Sequence, residues 1–410
     1  MKFFTGLVTT VLCICLGIFG INYLVRNYSF DMAFAGNAIS ASKVEAEEIL
    51  PATSTPIEEP VAPPKDIHLP TPEHVRGLYV SSYSFMDKSF QKRLDTMIDN
   101  TTINAIVVDI KDAPGTVLFD IGLDVPCVNP LMDMAKLEER LDYYQQKGIY
   151  TIARVAVFRD ACYVKQHPEL AVMNVSGAAW RDNGGHYWLS PHEMQTKEYI
   201  RDMARAVYDR GFDEVQFDYV RYPSDGKMGA LAYEYVEGAG KGLATSTTAS
   251  KVNEAKRRAT LKSFFQYMRT ELAGIPLSAD VFGMVLTNND DLSIGQHMDD
   301  IAPYVDYISG MIYPSHFGKQ WNGISNTHTN PYQTVYDSSK MGLEKLVKNN
   351  ISSSTARQMS RPWLQDFSIY GVVYNAPEVK AQIKALADLG IYNFLLWNAS
   401  NRYTAGVLDK

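Results

Sequence analysis

Acidic residues, arginines and aromatics recur in this chain at one kind of place, the ends of short apolar runs. The clearest case is the stretch EVQFDYVRYP from Glu214 to Pro223. Val215, Phe217 and Tyr219 alternate with Gln216, Asp218 and Val220, the period of a buried strand. Tyr222-Pro223-Ser224-Asp225-Gly226 then stops the strand and opens a loop. Asp218 and Arg221 therefore crowd a strand's carboxyl end, where barrels and open sheets carry their chemistry. The plain alternative is that the two simply pair with each other.

Other run ends carry similar groups. Asp109, Lys111 and Asp112 close one run, Arg154, Arg159 and Asp160 another. Asp280 sits between Ala279 and Val281, and Tyr313 and His316 follow a further run. Trp363, Gln365 and Asp366 belong to the next, and Trp397 and Asn398 to the last. Glycosidic cleavage needs this mixture. One carboxyl group protonates the leaving oxygen, and a second attacks the anomeric carbon or activates water. Their pKa values must be driven apart, which burial and neighbouring charges do. Tryptophan and tyrosine faces stack on the C–H faces of sugar rings.

Each of these residues also has a structural reading. Asp109 or Lys111 fits an ion pair, Asp366 a loop cap, and His316 an ordinary loop histidine. Asp280 is different, because a carboxylate in an apolar setting needs a partner or a purpose. No H-E-x-x-H or histidine pair suggests a catalytic metal, and no glycine-rich phosphate turn, P-loop or nucleophile elbow occurs at the run ends. No cofactor is expected.

Eight apolar runs must position these groups. They begin near Arg76, Ile103, Tyr150, Glu214, Pro276, Val305, Arg361 and Tyr392. Between them lie amphipathic helical stretches. One carries Phe90, Leu94, Met97 and Ile98 on a single face, and another Ile200, Met203, Ala204 and Val207. Ser190-Pro191-His192-Glu193 reads as a helix start with Ser190 as N-cap. Gly148, Gly211, Gly274 and Gly390 each separate a helix from the next run. The count predicts an α/β fold, a (β/α)8 TIM barrel. An open doubly wound sheet is the alternative. Gly238 to Ser250, rich in Gly, Ala, Ser and Thr, reads as a mobile loop.

Two segments precede the barrel. Phe3 to Val25 is uncharged and apolar, long enough to span a bilayer as a helix. Residues 1–26 are thus expected to be an uncleaved signal anchor, with a cleaved signal as the alternative. Residues 27–73, rich in Pro, Glu, Ser and Ala, read as a disordered spacer. The barrel then occupies 74–410. This arrangement predicts a single-pass protein of the cell membrane with its barrel outside the cytoplasm, or a secreted one if the signal is cleaved. A net charge of -7 without a basic tract argues against a nucleic-acid partner. Of the four cysteines, Cys127 and Cys162 lie in the barrel. They read first as separate buried thiols and second as one disulfide.

The segment from about Val75 to Tyr403 resembles the "putative glycoside hydrolase domain" of bacterial and archaeal surface proteins, once classed as a domain of unknown function. The resemblance rests on NAIVVDIKD (104–112), QFDYVRYPSDG (216–226), SADVFG (278–283), IGQ (294–296), YPSHF (313–317), RPWLQDF (361–367) and LLWNAS (395–400). It implies a barrel similar to those of glycosidases and a polysaccharide substrate, of the cell wall or an exopolysaccharide. Carried onto this chain, it points at Asp218 and Asp280 as the main acidic pair. Asp218 is then nucleophile or general base, and Asp280 the general acid. Asp109, Lys111, Arg154 and Arg221 are expected to position substrate and tune the pair, while Tyr313, Trp363 and Trp397 line the sugar site. A non-catalytic glycan-binding barrel is the alternative, since it keeps the aromatics but does not need the acids.

Overall fold

The computed structural model describes residues 67–129, 133–232 and 254–410. The expected anchor (1–26), most of the spacer and the Gly238–Ser250 loop lie outside the described residues. Among the described residues, no helix is long and apolar enough to cross a membrane.

Eight parallel strands form a closed barrel in sequence order. They are β1 (Arg76–Val80), β2 (Ala105–Lys111), β3 (Tyr150–Ala156), β4 (Glu214–Asp218), β5 (Leu277–Phe282), β6 (Tyr307–Met311), β7 (Trp363–Gln365) and β8 (Phe394–Trp397). Pairing of β8 with β1, Arg76 opposite Phe394, closes the ring. Every residue of β2 and β3 is buried, as expected where helices cover one face of a parallel sheet and side chains fill the other. The inner layer includes Tyr79, Val107, Ile152, Trp363 and Leu395, which form their own apolar cluster. Alternation along each strand then puts Asp109 on the face of Val107 and Arg154 on that of Ile152, and register sets the two opposite each other.

The main helices are α1 (Lys88–Asn100), α2 (Met134–Gln146), α3 (Met194–Asp209), α4 (Glu254–Glu271), α5 (Pro331–Lys348) and α6 (Ala376–Ala387). Helix α1 buries Phe90, Leu94 and Ile98 and is capped by Asp87, whose carboxylate accepts from the Phe90 N–H at 2.5 Å. Helix α3 starts later than the Ser190 capping motif predicts: its N-cap is Glu193, without a side-chain cap. Ser190 is engaged in the preceding loop. Its N–H donates to the Leu170 carbonyl at 2.7 Å, and its Oγ accepts from the His192 N–H at 3.3 Å. Past α3, Gly211 takes φ 103°, a left-handed conformation that ends the helix and suits glycine.

Two expectations are corrected. Residues 67–73, read as the end of a disordered spacer, pack on the amino end of the barrel. The Leu69 N–H donates to Asp213 Oδ1 at 2.6 Å, Thr71 Oγ1 lies 3.0 Å from the Tyr150 hydroxyl, and the His68 ring stacks on Tyr208 at 3.9 Å. Cys127 and Cys162 are not separate thiols but form a disulfide. It ties the loop after β2 to the short helix Ala161–Gln166 after β3.

Candidate active site

The carboxyl half of the barrel is organised around one guanidinium. Arg154, from β3, donates through Nη1 to Asp109 Oδ1 of β2 and through Nη2 to Asp218 Oδ2 of β4. Its Nε lies 3.6 Å from Asp280 Oδ2 of β5. Three carboxylates from neighbouring strands thus face one cation. Their second oxygens are also engaged. The Tyr79 hydroxyl donates to Asp109 Oδ2 at 2.5 Å, the Tyr219 N–H to Asp218 Oδ1 at 2.6 Å, and Trp363 Nε1 to Asp280 Oδ1 at 2.7 Å. Tyr219 takes φ 49°, unusual outside glycine. That turn directly follows the last residue of β4, and the Tyr219 N–H points back at the Asp218 carboxylate.

Burial weighs heavily on Asp280. Burial, and then the charge of Asp218, push the Asp280 carboxyl well above the usual range, with Arg154 opposing. Burial and the neighbouring charge thus favour the neutral form of Asp280. For Arg154 burial acts against the charge, but Asp218, Asp109 and Asp280 outweigh it and raise its pKa further. Burial and the charge of Asp109 raise the Tyr79 phenol, which stays a donor. Burial and the charges of Asp280 and Asp218 do the same to Tyr313. Access is graded: Asp280 is 1% exposed, whereas Asp218, Asp109 and Arg154 reach solvent at 6%, 7% and 8%.

Aromatic rings wall this cluster. Trp397 lies 5.2 Å from the Arg154 guanidinium, 4.1 Å from the Tyr79 ring and 5.4 Å, edge on, from Trp363. Tyr313 is buried beside His316 and Phe367, with His316 itself exposed. Trp363 is buried and committed to Asp280, so it does not offer a free face as expected.

Other expected site residues lie elsewhere in the network. Lys111 is fully buried, 2.9 Å from Asp160, and also donates to the Ala156 carbonyl at 2.5 Å. It braces the barrel wall and cannot touch substrate. Gln365 is fully buried, and its side chain accepts from the Ser315 N–H and donates to the Phe367 carbonyl. Asp366 accepts from the Thr404 N–H and hydroxyl, and Asn398 donates to the Asp366 and Arg402 carbonyls. Asp366 and Asn398 hold the β7 and β8 loops together, and Gln365 ties β7 to the loop after β6. Arg221 does not pair with Asp218, whose cation is Arg154.

Two residues of the site were not expected. Tyr79 is hidden in the apolar run of β1, and only its place two residues after the inward Gly77 could have drawn attention to it. Gln296 lies in the IGQ motif. It donates to the Val220 and Asp280 carbonyls at 3.3 and 3.2 Å and accepts from the Phe282 N–H at 3.0 Å. It thereby fixes the end of β4 to the end of β5. No group of three or more His, Cys, Asp or Glu side chains suited to a metal ion occurs among the described residues.

Fold and site together define a closed (β/α)8 barrel with an acidic, arginine-clamped centre at its carboxyl end, an arrangement open to glycoside chemistry. The chain belongs to the family described as "Putative glycosyl hydrolase domain", whose model matches residues 77–403. Among solved structures it is similar to the PgaB (BpsB) glycoside hydrolase domain from Bordetella bronchiseptica, at 15% identity over 79% of this chain and 94% of that one, with a TM-score of 0.56. It is also similar to β-galactosidase from the psychrophilic Marinomonas ef1, at 12% identity over 79% of this chain and 54% of that one, with a TM-score of 0.54. A hypothetical protein from Ruminiclostridium thermocellum is 29% identical over 50% of this chain and 97% of its own, with a TM-score of 0.41. At their identities the first two likenesses speak for the fold alone. No curated protein matches the chain.

Proposed function

We propose that the protein is an extracytoplasmic, membrane-held glycoside hydrolase that cleaves a cell-wall polysaccharide or exopolysaccharide with Asp218 and Asp280. The observation that carries the reading is the unequal treatment of the two acids. Asp218 is ion-paired to Arg154 and reaches solvent, which suits a nucleophile or general base. Asp280 is buried and its carboxyl is pushed well above the usual range, which suits a general acid. Arg154 then does two things. It holds Asp218 in place, and it provides positive charge beside the acid as the leaving oxygen departs. Asp109, held by Tyr79, is the third carboxylate and positions a sugar hydroxyl.

Of the three aromatics expected to line the site, Trp363 serves Asp280 and Tyr313 is buried, which leaves Trp397 half-buried at the cluster. The disulfide supports an oxidising compartment, and the apolar run Phe3–Val25 supports the membrane attachment.

The test is release of new reducing ends from bacterial cell-wall and exopolysaccharide preparations by the full chain. Asp218→Asn and Asp280→Asn each lower kcat/KM by about 10²–10⁴-fold in this reading. Binding without product from any preparation, undiminished in Asp218→Asn, would favour the glycan-binding alternative.

A further inference from the structure

Three arginines on or beside the inner strands have different fates. Arg154 faces three aspartates, and Arg361 is paired with Glu214. Arg221 has no carboxylate partner among the described residues. Its hydrogen bonds run from Nη1 alone, to the Tyr222 carbonyl and to Ser224 Oγ, both at 3.1 Å. Nε and Nη2 are left uncommitted. Neither is a buried unsatisfied atom, whereas Arg154 Nε and Arg361 Nε are.

Aromatic faces hold the Arg221 guanidinium instead. Phe282 lies 4.8 Å away, Trp188 5.0 Å and Tyr219 5.3 Å. Each ring comes from a different part of the rim. Tyr219 follows Asp218 directly, Phe282 ends β5 two residues after Asp280, and Trp188 belongs to the β3–β4 connection. Arg159 also lies over Tyr219, at 5.4 Å, but it is bound to Asp182 at 2.8 Å. Trp188 Nε1 donates to the same Asp182 at 3.2 Å, which fixes the ring under Arg221.

Arg221 is half-buried, and its Nε and Nη2 face water in place of a protein acceptor, so both donors are open to a ligand's acceptors. The ring faces hold the cation without taking up any of its N–H donors. Burial lowers the Arg221 pKa, the direction expected when a charge lacks compensation. The two open donors, Nε and Nη2, form the edge of the guanidinium that matches a carboxylate bidentately. The guanidinium packs on Tyr219, next to Asp218, and on Phe282, two residues past Asp280, and it feels the Asp218 charge, so this edge lies on the rim beside the acids.

We propose that Arg221 is a subsite for a carboxylate carried by the substrate, so that the polysaccharide taken by this site is acidic. The inference rests on the glycosidase reading of the same site. The carboxylate is that of a uronic acid or of a lactyl ether on an amino sugar, and the two sources are separable. The test uses the full chain with oligogalacturonate and with muramic-acid-containing glycan strands, each beside its carboxyl-reduced counterpart. Binding is measured by calorimetry and turnover by reducing-end release. At least one carboxylate form binds about tenfold or more tightly than its reduced form, as a charge-assisted pair implies. Added salt narrows the gap, Arg221→Gln closes it, and Arg221→Lys retains part of it. Equal binding of both forms, a preference that survives Arg221→Gln, or binding of none of the four glycans overturns the proposal. Equal turnover of acid and reduced forms, abolished by Asp218→Asn, sinks this inference and leaves the hydrolase reading intact. A carboxylate preference with no turnover of any glycan does the reverse.

Discussion

The barrel holds a buried arginine at each end, and the two are partnered in opposite ways. At the amino end Arg361 donates through Nη1 and Nη2 to the two oxygens of Glu214, the first residue of β4. Ser278 and Tyr150 donate to the same carboxylate at 2.5 and 3.2 Å, and Arg361 lies 4.2 Å from the Tyr307 ring. Both side chains are fully buried, and the charges balance one to one. At the carboxyl end Arg154 meets three carboxylates and the cluster reaches solvent. A closed, balanced pair is what a scaffold tolerates in its interior. An open cluster with surplus negative charge is unfavourable for the fold, and such local conflict is where function is to be sought.

This contrast predicts that the two ends fail differently. The largest effect falls on rate at the carboxyl end. Asp218→Asn lowers kcat/KM by about 10³-fold but shifts stability by less than about 1 kcal/mol, because Asp109 remains as a carboxylate partner for Arg154. Parallel kinetics and denaturant melts check this, and a variant that unfolds instead would erase the distinction. At the amino end Glu214→Gln or Arg361→Met destabilises by about 3–5 kcal/mol, since each strands a buried charge. The double apolar replacement, Glu214→Leu with Arg361→Met, recovers most of that loss. Next comes the disulfide. Replacing Cys127 and Cys162 with serine costs about 2–4 kcal/mol, chiefly by freeing the unfolded chain, and leaves the acid pair in place.

The smallest effect concerns pH. A carboxyl group raised in the folded state contributes stability that is fully present below its unfolded value of 3.8 and is lost as pH rises through its folded value. Asp280 therefore makes the protein lose stability as pH rises from 3.8 up through its raised folded value. Asp280→Asn removes that slope and leaves the amide oxygen to accept from Trp363 Nε1. Melting temperatures of both proteins across pH give the comparison, and identical slopes would break it.

The barrel was legible because each buried parallel strand writes itself as an apolar run, and glycines mark the helix ends. The strand-end acids were legible for the same reason: Asp109, Asp218 and Asp280 interrupt runs that otherwise read as core. Partnership was not legible. Arg154 and Asp218 are 64 residues apart, and Arg361 and Glu214 are 147 apart. Only closure of the sheet brings them together. Sequence proximity instead suggested Asp218 with Arg221, which the turn at Tyr219 separates. Lys111 looked like a site residue because it ends a strand beside Asp109 and Asp112. Its long side chain is taken up inside by Asp160, 49 positions away in the sequence. Residues 67–73 gave no periodic signal because they form no regular element and dock through single hydrogen bonds.

The central claim is that the two ends differ because one is chemical. It is tested most directly by reducing-end release from cell-wall and exopolysaccharide glycans, with wild type, Asp218→Asn and Asp280→Asn compared at equal folded fractions. The account predicts turnover by the wild-type chain and a loss of about 10²-fold or more in each variant. Wild-type turnover in both variants would contradict it.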